Sequence, residues 1–165
     1  MSTKSIIISG IVFLGLIIGM SFLLTTGQKP EPAKVVYSAQ ASEKPIAQTS
    51  ETSADFGEMK DSDTKQKDFT LENAGTKPLQ ILNVNSSCNC TFGQIIYNGT
   101  TSKEFGMHAQ SGYVTDIAPG SSATVRVIYR PYIMPVVGPV EREVYVTTND
   151  PQKETVTFSI KATLK

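Results

Sequence analysis

Two patterns of hydrophobic spacing divide this chain. Ser5 through Leu24 is a continuous uncharged run of Ile, Leu, Phe, Val and Gly. From Asp55 onward the apolar positions instead alternate with polar ones in short stretches bounded by turn residues. Phe69 and Leu71 lead into Asn73-Ala74-Gly75, and Leu79, Ile81 and Val84 follow. Val125, Val127 and Tyr129 alternate with Thr124, Arg126 and Ile128; Val140, Val144 and Val146 precede Thr148-Asn149-Asp150-Pro151. Val156, Phe158, Ile160, Ala162 and Leu164 form a period-2 run at the C-terminus. Side chains two apart share one face of a strand, so these runs predict half-buried strands. Short strands at this spacing, without a long amphipathic helix, predict an all-β antiparallel sandwich over 55–165.

The N-terminal run carries a different expectation. As a helix rising about 1.5 Å per residue it covers about 30 Å, one bilayer core. It is longer than the apolar part of a secretory signal, and Thr25-Thr26-Gly27 is a poor cleavage match. Residues 1–27 are therefore read as an uncleaved membrane anchor, with residues 5–24 in the bilayer. Lys4 precedes the span and Lys29 lies beyond it, which favours a cytoplasmic N-terminus and an exported C-terminal part. Residues 28–54, rich in Pro, Ser, Ala, Gln, Thr, Lys and Glu, read as a flexible linker that Pro30, Pro32 and Pro45 stiffen locally.

Charge and motifs narrow the function classes. From Asp55 the chain has eleven Lys and Arg against twelve Asp and Glu, 11 − 12 = −1, so the basic surface of a nucleic-acid binder is missing. His108 is the only histidine, and neither a Gly-x-Ser-x-Gly elbow nor a phosphate-binding glycine loop occurs. A non-enzymatic protein is expected. Asn73, Gly75, Pro119-Gly120 and Asp150-Pro151 read as turn chemistry, with Asn73 and Gly75 suited to positive φ.

An ordered series of motifs resembles a known family. Phe56-Gly57, Phe69-x-Leu71-x-Asn73-x-Gly75, Pro78-Leu79-x-Ile81, Ser87-Cys88-x-Cys90-Thr91, Ala118-Pro119-Gly120 and Thr148-Asn149-Asp150-Pro151 together are similar to the bacterial family called domain of unknown function 1573. That family is related to the immunoglobulin-like ASH and major-sperm-protein domains. The resemblance covers nearly all of 55–165 and implies an exported immunoglobulin-like sandwich with no assigned enzyme activity. Together with the anchor read over residues 1–27, it places the protein in a bacterial inner (cytoplasmic) membrane, single-pass, with its C-terminal domain periplasmic or extracellular. Residues 92–116 depart from the family as an insertion, whose Asn98-Gly99 suits the tip of an additional hairpin.

Cys88 and Cys90 are the only cysteines. In an extended strand their side chains would share a face, too far apart for an ordinary disulfide. Two readings stay open. The pair are small, partly buried side chains or close a tight bond where a local turn allows it. Alternatively, two exported thiolates bind Cu(I), which selects thiolate and thioether ligands, with Met107, His108 or Met134 as accessories. The plan of anchor, exported sandwich and Cys-x-Cys is similar to the copper-delivery assembly factors of cytochrome c oxidase, although Asn89 and Thr91 replace the aromatic residues of their Cys-Phe-Cys-Phe motif. The leading expectation is a membrane-anchored binding or scaffolding module that contacts a protein partner in the cell envelope through an exposed sheet edge or the insertion. The alternative is a Cu(I) metallochaperone or thiol-redox accessory.

Overall fold

The period-2 runs fold as strands whose apolar faces meet. The computed structural model of the chain describes residues 3–25, 32–109 and 112–165, and within the N-terminal helix the side chains of 10–21. It contains two compact units, Met1–Glu31 and Pro32–Lys165.

In the first unit, α1 runs from Thr3 to Thr25, with no acidic residue in its first turn and no basic residue in its last. The side chains described span about 18 Å at 1.5 Å per residue, less than a bilayer core. Among the described residues no helix is long and apolar enough to cross a membrane.

The second unit is a two-sheet sandwich. Among the described residues one sheet has the order β1-β3-β8-β5-β6 and the other β2-β10-β9-β4-β7. The first comprises β1 (Ala47–Gln48), β3 (Lys65–Asn73), β8 (Ser122–Tyr129), β5 (Thr91–Tyr97) and β6 (Thr100–Thr101). The second comprises β2 (Ser53–Met59), β10 (Thr155–Leu164), β9 (Gly138–Thr148), β4 (Leu79–Ser86) and β7 (Thr115–Ile117). Pairing is antiparallel except for β2, which runs parallel to β10, so the sandwich is not wholly antiparallel. Phe69, Leu71, Val125 and Val127 from one sheet face Val84, Val146, Phe158 and Ile160 from the other, all buried in one cluster. The Phe69 and Phe158 rings lie 5.1 Å apart. Each such large side chain contributes about 1.5–3 kcal/mol when fully buried.

Two expectations need correction. The linker read over 28–54 is folded from residue 32: β1 pairs with β3, Ala47 is buried, and the Val35 N–H donates to Gln80 Oε1 at 2.7 Å. Polar composition here hides pairing that is made with the backbone rather than with apolar side chains. Neither Asn73 nor Gly75 has positive φ. A Cβ on Gly75 would lie 2.3 Å from the Lys44 carbonyl oxygen and 2.6 Å from the Ile46 nitrogen, so the glycine admits the N-terminal segment. Asn73 holds that segment and the neighbouring turns: its Nδ2 donates to Lys77 and Ile117 carbonyls (2.8 and 2.9 Å), and its Oδ1 accepts from Ile46 and Gly75 N–H.

Candidate functional site

Cys88 and Cys90 do not lie in an extended strand. β4 ends at Ser86, a bend and turn occupy residues 87–90, and β5 starts at Thr91, so the chain crosses there from one sheet to the other. The turn joins the two sulfurs in a disulfide with Cα atoms 5.3 Å apart. Cys90 is fully buried and Cys88 is 8% exposed. The Cys90 N–H donates to Cys88 Sγ at 3.2 Å, and Thr91 Oγ1 lies 3.3 Å from the same sulfur. Of the two readings left open, the bond closed by a local turn is the one present: both sulfurs are bonded to each other, and a disulfide sulfur lacks the thiolate charge that Cu(I) selects. Met107 and His108 are exposed in the turn after Phe105, and Met134 is exposed beyond β8. Among the described residues no group of three or more His, Cys, Asp or Glu is placed to hold a metal ion.

The disulfide turn braces the β8 foot of the β8–β9 connection and, farther along, the middle of β9. On one side the Arg130 N–H donates to the Cys90 carbonyl at 2.8 Å. On the other, the Ser87 N–H donates to the Glu143 carbonyl and the Glu143 N–H to Ser87 Oγ, each at 2.9 Å. Arg130 also stacks over Phe92, 5.0 Å from the ring centroid, and binds Glu104 through two hydrogen bonds of 2.6 and 2.8 Å. Those hydrogen bonds hold the Glu104 carboxyl below the ordinary carboxylate value, against a smaller opposing effect of burial.

Between Arg130 and the start of β9 at Gly138 lies a loop that opens with the 3-10 turn Pro131–Ile133. Tyr132 is 52% exposed, Met134 47% and Val137 89%. Sequence reading missed this loop as a surface. Its signal was present, since Pro131–Val140 is an uncharged run with prolines at 131, 135 and 139.

A second surface is a sheet edge. β1 covers only Glu72 and Asn73 of β3, and among the described residues nothing pairs with 65–71 on the side away from β8. The Ala74 N–H donates to Ile46 on the β1 side, while the Asn73 N–H donates to Ser121 on the β8 side. Alternation then turns the backbone groups of Gln66, Asp68 and Thr70 toward the open side. The charges beside this edge are engaged: Lys65 Nζ donates to the Phe56 and Glu58 carbonyls, Lys67 pairs with Glu51 at 2.8 Å, and Arg126 binds Asp68 at 2.7 Å.

The region expected as an insertion closes the other edge of that sheet. Its first residues form β5, which pairs with β8 over six positions, Thr91–Ile96. The β5–β6 hairpin turns at Asn98-Gly99, where both residues have positive φ, 49° and 75°, as a two-residue type I′ turn requires. Gly93 and Phe105 then exchange two backbone hydrogen bonds of 2.9 Å.

Residues 47–105 match the family described as "Protein of unknown function (DUF1573)", which takes in the first four motifs of the series, while Ala118-Pro119-Gly120 and Thr148-Asn149-Asp150-Pro151 lie beyond the match. A protein of unknown function from Porphyromonas gingivalis W83 is similar in structure, with TM-score 0.58 and 20% identity over 76% of this chain and 49% of that one. This chain therefore spans about half of that protein's length. The ASH/PapD-like domain 7 of human CEP192 gives TM-score 0.46 and 11% identity, covering 83% of this chain and 94% of that one. A family 123 glycoside hydrolase from Clostridium perfringens gives TM-score 0.49 and 10% identity, over 68% and 22%. At 20% identity the likeness to the Porphyromonas gingivalis protein is one of fold alone, a two-sheet β-sandwich. No curated protein matches the chain significantly.

Proposed function

We propose, for a chain that carries a DUF1573 segment at residues 47–105, the role of a membrane-anchored, exported, non-enzymatic binding module that captures an extended segment of a protein partner in the bacterial envelope. The observation that carries this reading is the open edge of β3, whose Gln66, Asp68 and Thr70 present backbone groups with no neighbouring strand among the described residues. An extended peptide adds to such an edge through main-chain hydrogen bonds, and alternate side chains give selectivity. Anchoring is supported by the uncharged, apolar composition of Ser5 through Leu24. The non-enzymatic reading is supported by the lack of catalytic motifs in the sequence.

Two experiments test the two halves of this proposal. Protease added to spheroplasts should digest the 55–165 domain while a cytoplasmic control survives; survival of the domain contradicts export. A photoreactive side chain at Gln66 should cross-link an envelope protein, and Thr70→Pro should abolish the cross-link. Proline at Thr70 removes an N–H on the open side only, so the β8 ladder stays intact. Cross-linking that persists unchanged in Thr70→Pro contradicts capture along this edge.

A further inference from the structure

The β8–β9 loop presents an uncharged surface of exposed apolar side chains. Tyr132, Ile133, Met134, Val136 and Val137 are exposed within seven residues, and no charge occurs between Arg130 and Glu141. We infer that this loop seats in the interfacial region of the lipid bilayer, an inference that rests on the membrane anchoring proposed above.

The backbone of the loop suits lipid. Entering a low-dielectric layer is costly for any N–H that water no longer satisfies. Pro131 and Pro135 have no N–H, and those of Ile133 and Met134 donate within the connection, to the Arg130 and Pro131 carbonyls at 3.2 and 3.0 Å. Four of the seven residues 131–137 therefore bring no free donor with them. The side chains suit it too, because a tyrosine beside aliphatic residues places a polar tip and an apolar body at a membrane–water boundary. The shape favours a deformable surface over a protein pocket, since Val137 projects at 89% exposure from a loop rather than lining a groove.

The feet of the loop define what kind of lipid contact this is. Arg130 is paired with Glu104, and Glu141, Arg142 and Glu143 follow in β9, so the base is of mixed sign. An anionic headgroup gains nothing over a zwitterionic one there, and the contact is apolar insertion. Such a contact, too weak to hold a free protein, is populated when an anchor in the same chain raises its effective concentration.

The test uses the full chain in phosphatidylcholine vesicles. The protein has no tryptophan, so Val137→Trp supplies a single reporter and Gln152→Trp, beyond the opposite end of β9, a control. Lipids brominated along their acyl chains should quench Val137→Trp about twofold or more and leave Gln152→Trp unchanged, with or without added anionic lipid. Tyr132→Trp, a second reporter in the loop, should behave as Val137→Trp does. Unquenched loop reporters in a chain that floats with the vesicles overturn the inference and leave the anchor standing. An emission shift without quenching also overturns it, because a protein surface, a second copy included, then covers the loop. A chain that fails to float overturns both readings.

Discussion

The two ends of the sandwich treat their side chains in opposite ways. At one end Asn73, Gln80, Thr148, Asn149 and Asp150 are buried polar residues that satisfy one another and the backbone. Asn149 Oδ1 accepts from the Gln80 N–H at 2.8 Å, Asp150 Oδ2 from the Ala47 N–H at 2.8 Å, and Gln80 Oε1 from the Val35 N–H at 2.7 Å. At the other end the disulfide turn braces a loop whose apolar side chains are left in solvent. Buried polar groups are tolerated only when paired, and they then fix one arrangement. Exposed apolar groups add nothing to the fold and mark a surface kept for contact. The first end therefore specifies structure, and the second is free to serve binding.

Substitutions should separate the ends by their effect on stability. Asn73→Ala leaves several buried partners unpaired and should cost about 3–4 kcal/mol in urea unfolding, the largest effect expected. Gly75→Ala should follow at about 2–3 kcal/mol, because its Cβ meets backbone rather than a movable side chain; hydrogen exchange should show the segment around Ile46 released. At the binding end, Cys88→Ser with Cys90→Ser removes the closure of a three-residue loop, worth about 1.6 kcal/mol in the chain-entropy account. A larger loss on that double substitution than on Asn73→Ala would reverse the comparison.

Smaller effects sharpen it. Glu104→Gln should cost about 0.5 kcal/mol at neutral pH, as a part-exposed ion pair does. Arg130 lowers the Glu104 pKa in the folded protein from its ordinary 4.5, so the stabilisation is present above the unfolded value and is lost as pH falls through the folded one. The difference between wild type and Glu104→Gln should therefore vanish in acid. Val137→Asp should change stability by less than about 0.5 kcal/mol, the range for exposed sites, while removing the loop from lipid.

Much of this fold was legible because alternation reports burial directly. Phe158, Ile160, Ala162 and Leu164 all face the core of β10 as their spacing predicts. Asn98-Gly99 likewise gave the hairpin tip from turn chemistry alone. Tertiary approach was not legible. Gly75 is required by a segment some thirty residues away in the chain, and no local pattern carries that information. Of the two cysteine readings, the bond closed by a local turn is the one present; the same-face pair of an extended strand is not, because β4 ends at Ser86 and the chain turns before Cys90, bringing the sulfurs together. The apolar loop was legible as composition but not as exposure, since an uncharged run reads equally well as a buried strand.

The central claim is that β3 is an open edge available to a partner, and residue-resolved amide exchange on the full chain in nanodiscs tests it most directly. With no partner present, Gln66, Asp68 and Thr70 should exchange quickly, while Lys67, Phe69 and Leu71, turned toward β8, stay protected. Addition of the protein captured through Gln66 should slow the first three and leave the others unchanged. Uniform protection of 66–71 in the protein alone, or no slowing of Gln66, Asp68 and Thr70 on addition of that protein, would contradict the account.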